Sequence, residues 1–282
     1  MRWYEEHRRD LPWRRTRDPY AILVSEVMLQ QTQVDRVVPK YEEFLIRFPS
    51  FAALAAASTA NVIRVWAPLG YNRRAVNLHR LAREVVKHFD GTLPQETKAL
   101  RSLPGVGAYT AAALACFAFG RAEPVVDTNV RRVLIRLEGA ASATDREVSK
   151  LAAAYLPPAR AGDWNQALMD LGSAVCRASS PACLLCPARA VCRSAGGWVR
   201  EARAGYRAVP QERFEGSNRH LRGRIVDALR AAEAGLTPAD LAQALALTGE
   251  GGLARLTTLI ATLETDGLVN VELETDRVRL PE

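Results

Sequence analysis

Four of the five cysteines, Cys176, Cys183, Cys186 and Cys192, lie within seventeen residues at the spacing C-x6-C-x2-C-x5-C. Thiolates are soft ligands, and so tight a group in an intracellular chain favours a metal or cluster site over disulfides. Four-cysteine zinc and a four-cysteine iron–sulfur cluster are both open. A zinc ribbon usually pairs two C-x2-C knuckles and only one occurs here, so the six- and five-residue gaps fit a cluster loop better. Cys116, inside Ala113-Leu114-Ala115-Cys116-Phe117, reads as a core residue.

Two carboxylates stand in contexts that can do acid–base work. Glu26 lies in Leu23-Val24-Ser25-Glu26-Val27-Met28-Leu29-Gln30-Gln31-Thr32. On a helix, Glu26, Gln30 and Gln33 fall at i, i+4 and i+7 and form a polar stripe. That stripe either faces solvent, or it holds a carboxyl desolvated among Val27, Met28 and Leu29, with its pKa raised enough for a general acid. Asp127 precedes Thr128-Asn129-Val130 and is predicted to cap the next helix. An ionised cap also suits a group that faces developing positive charge. Leu103-Pro104-Gly105-Val106-Gly107 leads into a helix beginning near Tyr109, and its Gly-x-Gly turn can present backbone N–H groups to a phosphate without reading base sequence.

The elements that must position these groups are helical. Apolar residues recur at three- and four-residue spacing over Tyr20–Val34, Ala52–Trp66, Ala75–His88, Thr110–Phe119, Asn129–Leu137 and Asp145–Tyr155. The part up to Ala195 is therefore all-α, and 196–214 reads as a linker. Residues 215–282 give three short helices (Leu221–Ala232, Pro238–Leu245, Leu253–Leu263) and two strands (Leu268–Leu273, Arg277–Leu280), a winged-helix-like pattern.

Of 282 residues, 48% are apolar and 24% charged, an ordinary globular composition. No apolar run approaches the ~18 residues of a membrane span, and Met1-Arg2-Trp3-Tyr4-Glu5-Glu6 lacks the apolar core of a secretory signal. The expectation is a soluble cytoplasmic protein. Net charge is +7 but uneven: seven Arg against eleven Asp or Glu give −4 over 215–282, leaving +11 elsewhere. A polyanion suits the basic part. The acidic tail module is as consistent with a structural or protein-contact role as with DNA binding.

Taken in order, the segments Leu11-Pro12-Trp13-Arg14, Asp18-Pro19-Tyr20, Ser25–Thr32, Leu69-Gly70-Tyr71, the Leu103–Gly107 hairpin, Asp127-x-Asn129-Val130, Asn165–Gly172 and the four cysteines resemble the helix-hairpin-helix base-excision DNA glycosylases, especially their adenine glycosylase branch. The resemblance spans Trp3 to Cys192. It implies a mainly α, two-subdomain glycosylase over 1–195, with a hairpin subdomain at about 21–127. The N-terminal residues plus 128–195 would form a [4Fe-4S] subdomain ligated by Cys176, Cys183, Cys186 and Cys192. The chain would act at N7 of a purine flipped out of double-stranded, nucleoid-associated DNA, as a monomer, with Glu26 as the acid and Asp127 facing the sugar cation.

By the same resemblance Tyr109 and Asn129 line the sugar side and Arg14 contacts the base. Gln30, Gln31 and Tyr71 contact or enter the stack, and Leu103, Gly105, Val106 and Gly107 hold the backbone. Bifunctional relatives carry a nucleophilic lysine where this chain has Tyr109, so a monofunctional hydrolase is expected. Thr128 stands where Gly is usual and Asn72 replaces a second tyrosine. Residues 215–282 stand where that branch has its oxoguanine-reading domain. The leading expectation is adenine opposite 8-oxoguanine or guanine. Gln30-Gln31 favours it over a mismatch thymine or uracil glycosylase, which tends to have Arg-Arg there. Retention of both Glu26 and Asp127 disfavours a non-catalytic DNA-structure-binding protein.

Overall fold

The computed structural model describes residues 1–195, 197 and 213–282 of the chain. Among them the helices are α1 (Arg2–His7), α2 (Pro19–Leu29), α3 (Val34–Arg47), α4 (Phe51–Ala56), α5 (Thr59–Trp66), α6 (Arg73–His88) and α7 (Thr97–Ser102). They continue with α8 (Ala108–Ala113), α9 (Thr128–Glu138), α10 (Asp145–Tyr155), α11 (Ala161–Ala174), α12 (Asn218–Ala231), α13 (Pro238–Leu245) and α14 (Gly249–Thr265). Strands β1 (Asn270–Glu272) and β2 (Arg277–Arg279) pair antiparallel. The protein is mainly helical. No helix among the described residues is long and apolar enough to cross a membrane. The linker expected over 196–214 lies, apart from residues 197, 213 and 214, outside the described residues.

Two compact units divide the chain, and the boundary falls inside α2 between Glu26 and Val27. The first contains the described residues of Met1–Glu26, Pro94–Ser102 and Val106–Ala208. Its core joins Val130, Val133 and Leu134 of α9, Val148 and Ala152 of α10, and Leu168 and Leu171 of α11. Gly172 makes the α9–α11 approach possible, because a Cβ there would lie 2.6 Å from Asn129 Cβ. Helix α9 starts on the Asp127 side chain and stops at Gly139, in the left-handed region at φ +66°.

The second unit contains the described residues of Val27–Leu93, Leu103–Gly105 and Val209–Glu282. Its C-terminal segment runs in the expected order, three helices and then a hairpin. Leu221, Ile225, Leu229, Leu259, Leu263 and Val278 form one apolar cluster with Ala60, Ile63 and Val76 of α5 and α6. The Ala60 N–H donates to Pro281 O (2.6 Å).

Several helix boundaries differ from the periodic reading. The helix expected over Tyr20–Val34 ends at Leu29, so Gln30 and Gln33 leave it and the polar stripe does not form. Arg74 supplies the reason. Its guanidinium donates to the carbonyls of Val27 (3.0 Å), Met28 (2.8 Å) and Gln30, groups that a continuing helix would have occupied. The stretch read as Ala52–Trp66 breaks at Ser58, whose hydroxyl accepts from Asn61 N–H (3.2 Å) and restarts the chain as α5. Helices α3 and α11 were not legible as periodic segments. One carries Pro39 in its interior, and the other buries Asn165 and Asp170 among its apolar residues.

Arg74 also donates to Gly70 O (3.1 Å) and Thr32 Oγ1 (3.0 Å), and stacks on Trp66 and Tyr71. Burial pulls its pKa down to about 10. Arg74→Ala leaves several carbonyls without a donor, at about 1–3 kcal/mol each. We expect a loss of at least about 3 kcal/mol, with only partial rescue by Arg74→Lys, which lacks the planar fork. Urea-unfolding midpoints measure it; a loss under about 1 kcal/mol would show that water replaces the guanidinium.

Candidate active site

Helix α2 is started by Asp18, whose carboxylate accepts from the Tyr20 N–H (3.0 Å). Two turns on, the apolar face of α2 carries Glu26 inward, where it is only 7% exposed. Burial pushes its pKa up to about 7, and the Asp127 charge pushes the same way. A hydrogen bond from Tyr109 and the positive charge of Arg14 pull it down without cancelling the rise. Tyr109, one residue into α8, is itself held well above its ordinary pKa by burial and by the Glu26 and Asp127 charges. It is therefore a neutral phenol, able to donate to the Glu26 carboxyl.

Asp127 is fixed by its own helix. Oδ1 accepts from the Val130 N–H (2.7 Å), as the capping expectation requires, and Oδ2 accepts from the Asn129 side-chain amide (2.9 Å). Asn129 is oriented in turn by Arg132, which donates to its Oδ1 (2.8 Å) and to the carbonyls of Gly172 (2.7 Å) and Cys176 (2.8 Å). Upstream, buried Asn165 accepts from the Val125 N–H (3.0 Å) and donates to Glu123 O (2.9 Å), setting the path into Asp127.

Arg14 makes a two-pronged ion pair with Asp170 (2.7 and 2.9 Å), and Arg9 adds a third contact (2.6 Å). Asp170 is 2% exposed; burial pushes its carboxyl up, but the two guanidiniums hold it below the ordinary aspartate value. Glu26, Tyr109, Asp127, Asn129, Arg14 and Asp170 all belong to the first unit. The arrangement combines a buried acid with a neutral-range pKa, a phenol that bonds it and a carboxylate anchored by donors, a set able to give a proton beside a fixed negative charge.

The remaining expected contact residues are distributed differently. Val106 and Gly107 fall in the first unit, Gly107 opening α8. Leu103 and Gly105 fall in the second, as do Gln30, Gln31 and Tyr71. Gly105 needs its φ of +78°, and a Cβ there would also press on Asn77 Cβ at 3.0 Å. Gln31 (φ +57°) and Tyr71 (φ +45°) hold left-handed backbone without being glycine, and Tyr71 is 43% exposed. Such strain persists only where surroundings enforce it, and Arg74 contacts both segments.

Cys176, Cys183, Cys186 and Cys192 line one small cavity with Arg136 and Ser194. Arg136, buried in α9, donates to the carbonyls of Arg177 (2.7 Å) and Ala178 (2.9 Å) and lies 3.4 Å from Cys176 Sγ. Among the described residues no three Cys, His, Asp or Glu side chains converge tightly enough to hold a single metal ion. Sequence reasoning assigned no role to Asp170, Asn165, Arg132, Arg136 or Arg74. For the first two a signal existed: polar residues at core positions of the apolar run Asn165–Gly172.

A family model for HhH-GPD superfamily base excision DNA repair proteins matches residues 24–158. The chain is 45% identical over 246 residues to the adenine DNA glycosylase of Mycolicibacterium smegmatis, covering 86% of this chain and 82% of that protein. That match reaches beyond Glu215. It is 42% identical over 196 residues to the thymine/uracil-DNA glycosylase of Pyrobaculum aerophilum, covering 66% of this chain and 85% of the other. Among solved structures it resembles a thermostable thymine-DNA glycosylase, with a TM-score of 0.65 and 34% identity over 68% of this chain and 91% of that one.

Proposed function

The chain belongs to the HhH-GPD superfamily of base excision DNA repair proteins, and on that premise we propose that it hydrolyses the N-glycosidic bond of a mispaired adenine in duplex DNA. The observation that carries this reading is buried Glu26, with a pKa near 7, bonded to neutral Tyr109 and sensing the charge of Asp127. At neutral pH a large fraction of Glu26 holds a proton to give. Transfer to N7 of the extruded purine makes the base a leaving group; the C1′–N9 bond then breaks with its electron pair moving to the base. The resulting oxocarbenium sugar faces the Asp127 carboxylate, as in glycosidases that pair an acid with an anion. Water adds to C1′ and its proton goes to Glu26.

Arg14, aimed by Asp170, contacts the base, and Asn129 lines the sugar side. Gln30, Gln31 and Tyr71 meet the duplex around the vacated position, and the Leu103–Gly107 turn takes backbone phosphate. Tyr109 has no amine with which to form an imine, so the enzyme is a monofunctional hydrolase. In this reading 1–195 is the glycosylase domain and 215–282 a winged-helix-like module. The enzyme acts as a monomer on nucleoid DNA in the cytoplasm, on adenine opposite 8-oxoguanine or guanine.

We assign a [4Fe-4S] cluster to Cys176, Cys183, Cys186 and Cys192. In support, the four cysteines offer an all-sulfur donor set around one cavity, and Arg136 sets a positive charge beside it. Such a cluster would supply a staple between the end of α11 and the loop that follows. Anaerobically prepared protein is expected to show broad absorbance at the visible–ultraviolet edge and matching iron and sulfide; stoichiometric zinc would refute the assignment.

The functional test is single-turnover release on duplexes carrying A:oxoG, A:G, T:G, U:G and hypoxanthine pairs, with borohydride added in parallel. Adenine release without a trapped covalent adduct is expected. Activity on pyrimidines alone would move the chain to the thymine/uracil relatives, and an efficient trapped adduct would overturn the monofunctional reading.

A further inference from the structure

The acidic balance of residues 215–282 conceals a division of charge. Helix α12 carries Arg219, Arg222, Arg224 and Arg230 against one acidic residue, Asp227, so the negative charge sits on the rest of the module. Three of the four arginines have structural partners. Arg222 pairs with Asp266, and Arg224 donates to Ala244 O (2.7 Å). Arg230 donates to Ile63 O (3.2 Å) and to Asn72 Oδ1 (2.9 Å). Asn72 is thus the acceptor that ties α12 to the loop bearing Tyr71. With the shared core of Ala60, Ile63 and Val76, this fixes the module to the scaffold of that loop.

Arg219 is placed differently. It is exposed on the first turn of α12, lies 5.0 Å over the ring of exposed Phe214, and reaches the Tyr71 hydroxyl at 3.4 Å. Arg73, two residues from Tyr71, is 68% exposed while pairing with Asp266 at 3.4 Å. An exposed aromatic on enforced backbone, rimmed by arginines and a second aromatic, is a surface matched to a nucleic-acid strand, with rings for bases and guanidiniums for phosphates.

We propose that the C-terminal module is part of the DNA-binding face: Arg219 takes a backbone phosphate of the duplex beside the base step that Tyr71 enters. The proposal deepens the glycosylase reading, since it takes Tyr71 as the residue that meets the stack. Each phosphate neutralised contributes about 0.9 to the slope of log affinity against log salt.

The test is binding of the full chain to an A:oxoG duplex and to its matched counterpart across a salt series. Arg219→Ala is expected to weaken binding to both several-fold and to flatten the slope by about 0.9, and Arg219→Lys to retain most of the slope. Arg224→Ala, about 140° around the same helix, is expected to leave it unchanged. A wild-type slope in Arg219→Ala overturns the proposal, and so does equal flattening in Arg224→Ala, which would mark a diffuse charge effect. Because binding needs no turnover, the two readings separate. A chain that releases no adenine but loses the slope increment with Arg219→Ala refutes the glycosylase activity and keeps this contact.

Discussion

Glu26→Gln is expected to lower the single-turnover excision rate by about 10²–10⁴-fold, the range in which a positioned general acid contributes, while duplex affinity stays within a few-fold. The amide fills the same space and still accepts from Tyr109, so the packing around a 7% exposed side chain survives. What disappears is the transferable proton. The same assignment fixes the sign of the pH dependence. A carboxyl with pKa near 7 is mostly protonated below that value, so the wild-type rate should fall about tenfold per pH unit above it. A rate that rises through pH 7–9 would assign Glu26 to base chemistry instead.

Stability moves in the opposite direction, which separates the chemical role from a packing role. In the unfolded chain this carboxyl ionises from about 4.5, whereas in the folded protein burial keeps it protonated to about 7. Folding is therefore favoured fully below about pH 4.5, progressively less up to 7, and above 7 the deficit reaches about 3 kcal/mol. Glu26→Gln has no proton to lose and escapes that deficit. Its Tm advantage over wild type should grow from pH 5 to pH 8, while its activity deficit, greatest below pH 7, narrows as pH rises past that value. A pH-independent difference would mean that the carboxyl is not desolvated.

The sequence made some of this site readable and hid the rest for physical reasons. Asp127 was readable as a cap because capping is local: the carboxylate reaches a backbone N–H three residues on, whatever the tertiary fold. The helical character of α5, α6, α9 and α10 followed from apolar spacing, which also depends on near neighbours. The end of α2 was invisible, because its stop signal is Arg74, more than forty residues downstream. Partners at such separations leave no periodic trace. Asp170 and Arg14, 156 residues apart, could each be seen as charged but not as a buried pair. The charge count of the C-terminal module hides a feature in another way, since a sum over 68 residues averages out the four arginines that one helix collects.

Asp127→Asn should separate charge from architecture more cleanly than any other change at the site. Asparagine caps helices as well as aspartate, so the Val130 N–H keeps its acceptor and unfolding free energy should stay within about 1 kcal/mol of wild type. The lost charge has no substitute. A carboxylate about 4 Å from a developing sugar cation contributes about 4 kcal/mol at an effective dielectric constant near 20, so the rate should fall by about 10³-fold. The new amide also turns an N–H₂ toward that of Asn129, whose carbonyl end Arg132 already holds, so the side chain cannot restore the wild-type contacts by flipping. Residual activity carries the diagnostic. Because the Asp127 charge raises the Glu26 pKa, its removal should move the alkaline fall in rate to a pH below 7. Asp127→Ala should lose the cap as well and unfold more readily by about 1 kcal/mol. If Asp127→Asn keeps near-wild-type rates, the carboxylate is only a cap, and the sugar cation must be balanced from elsewhere.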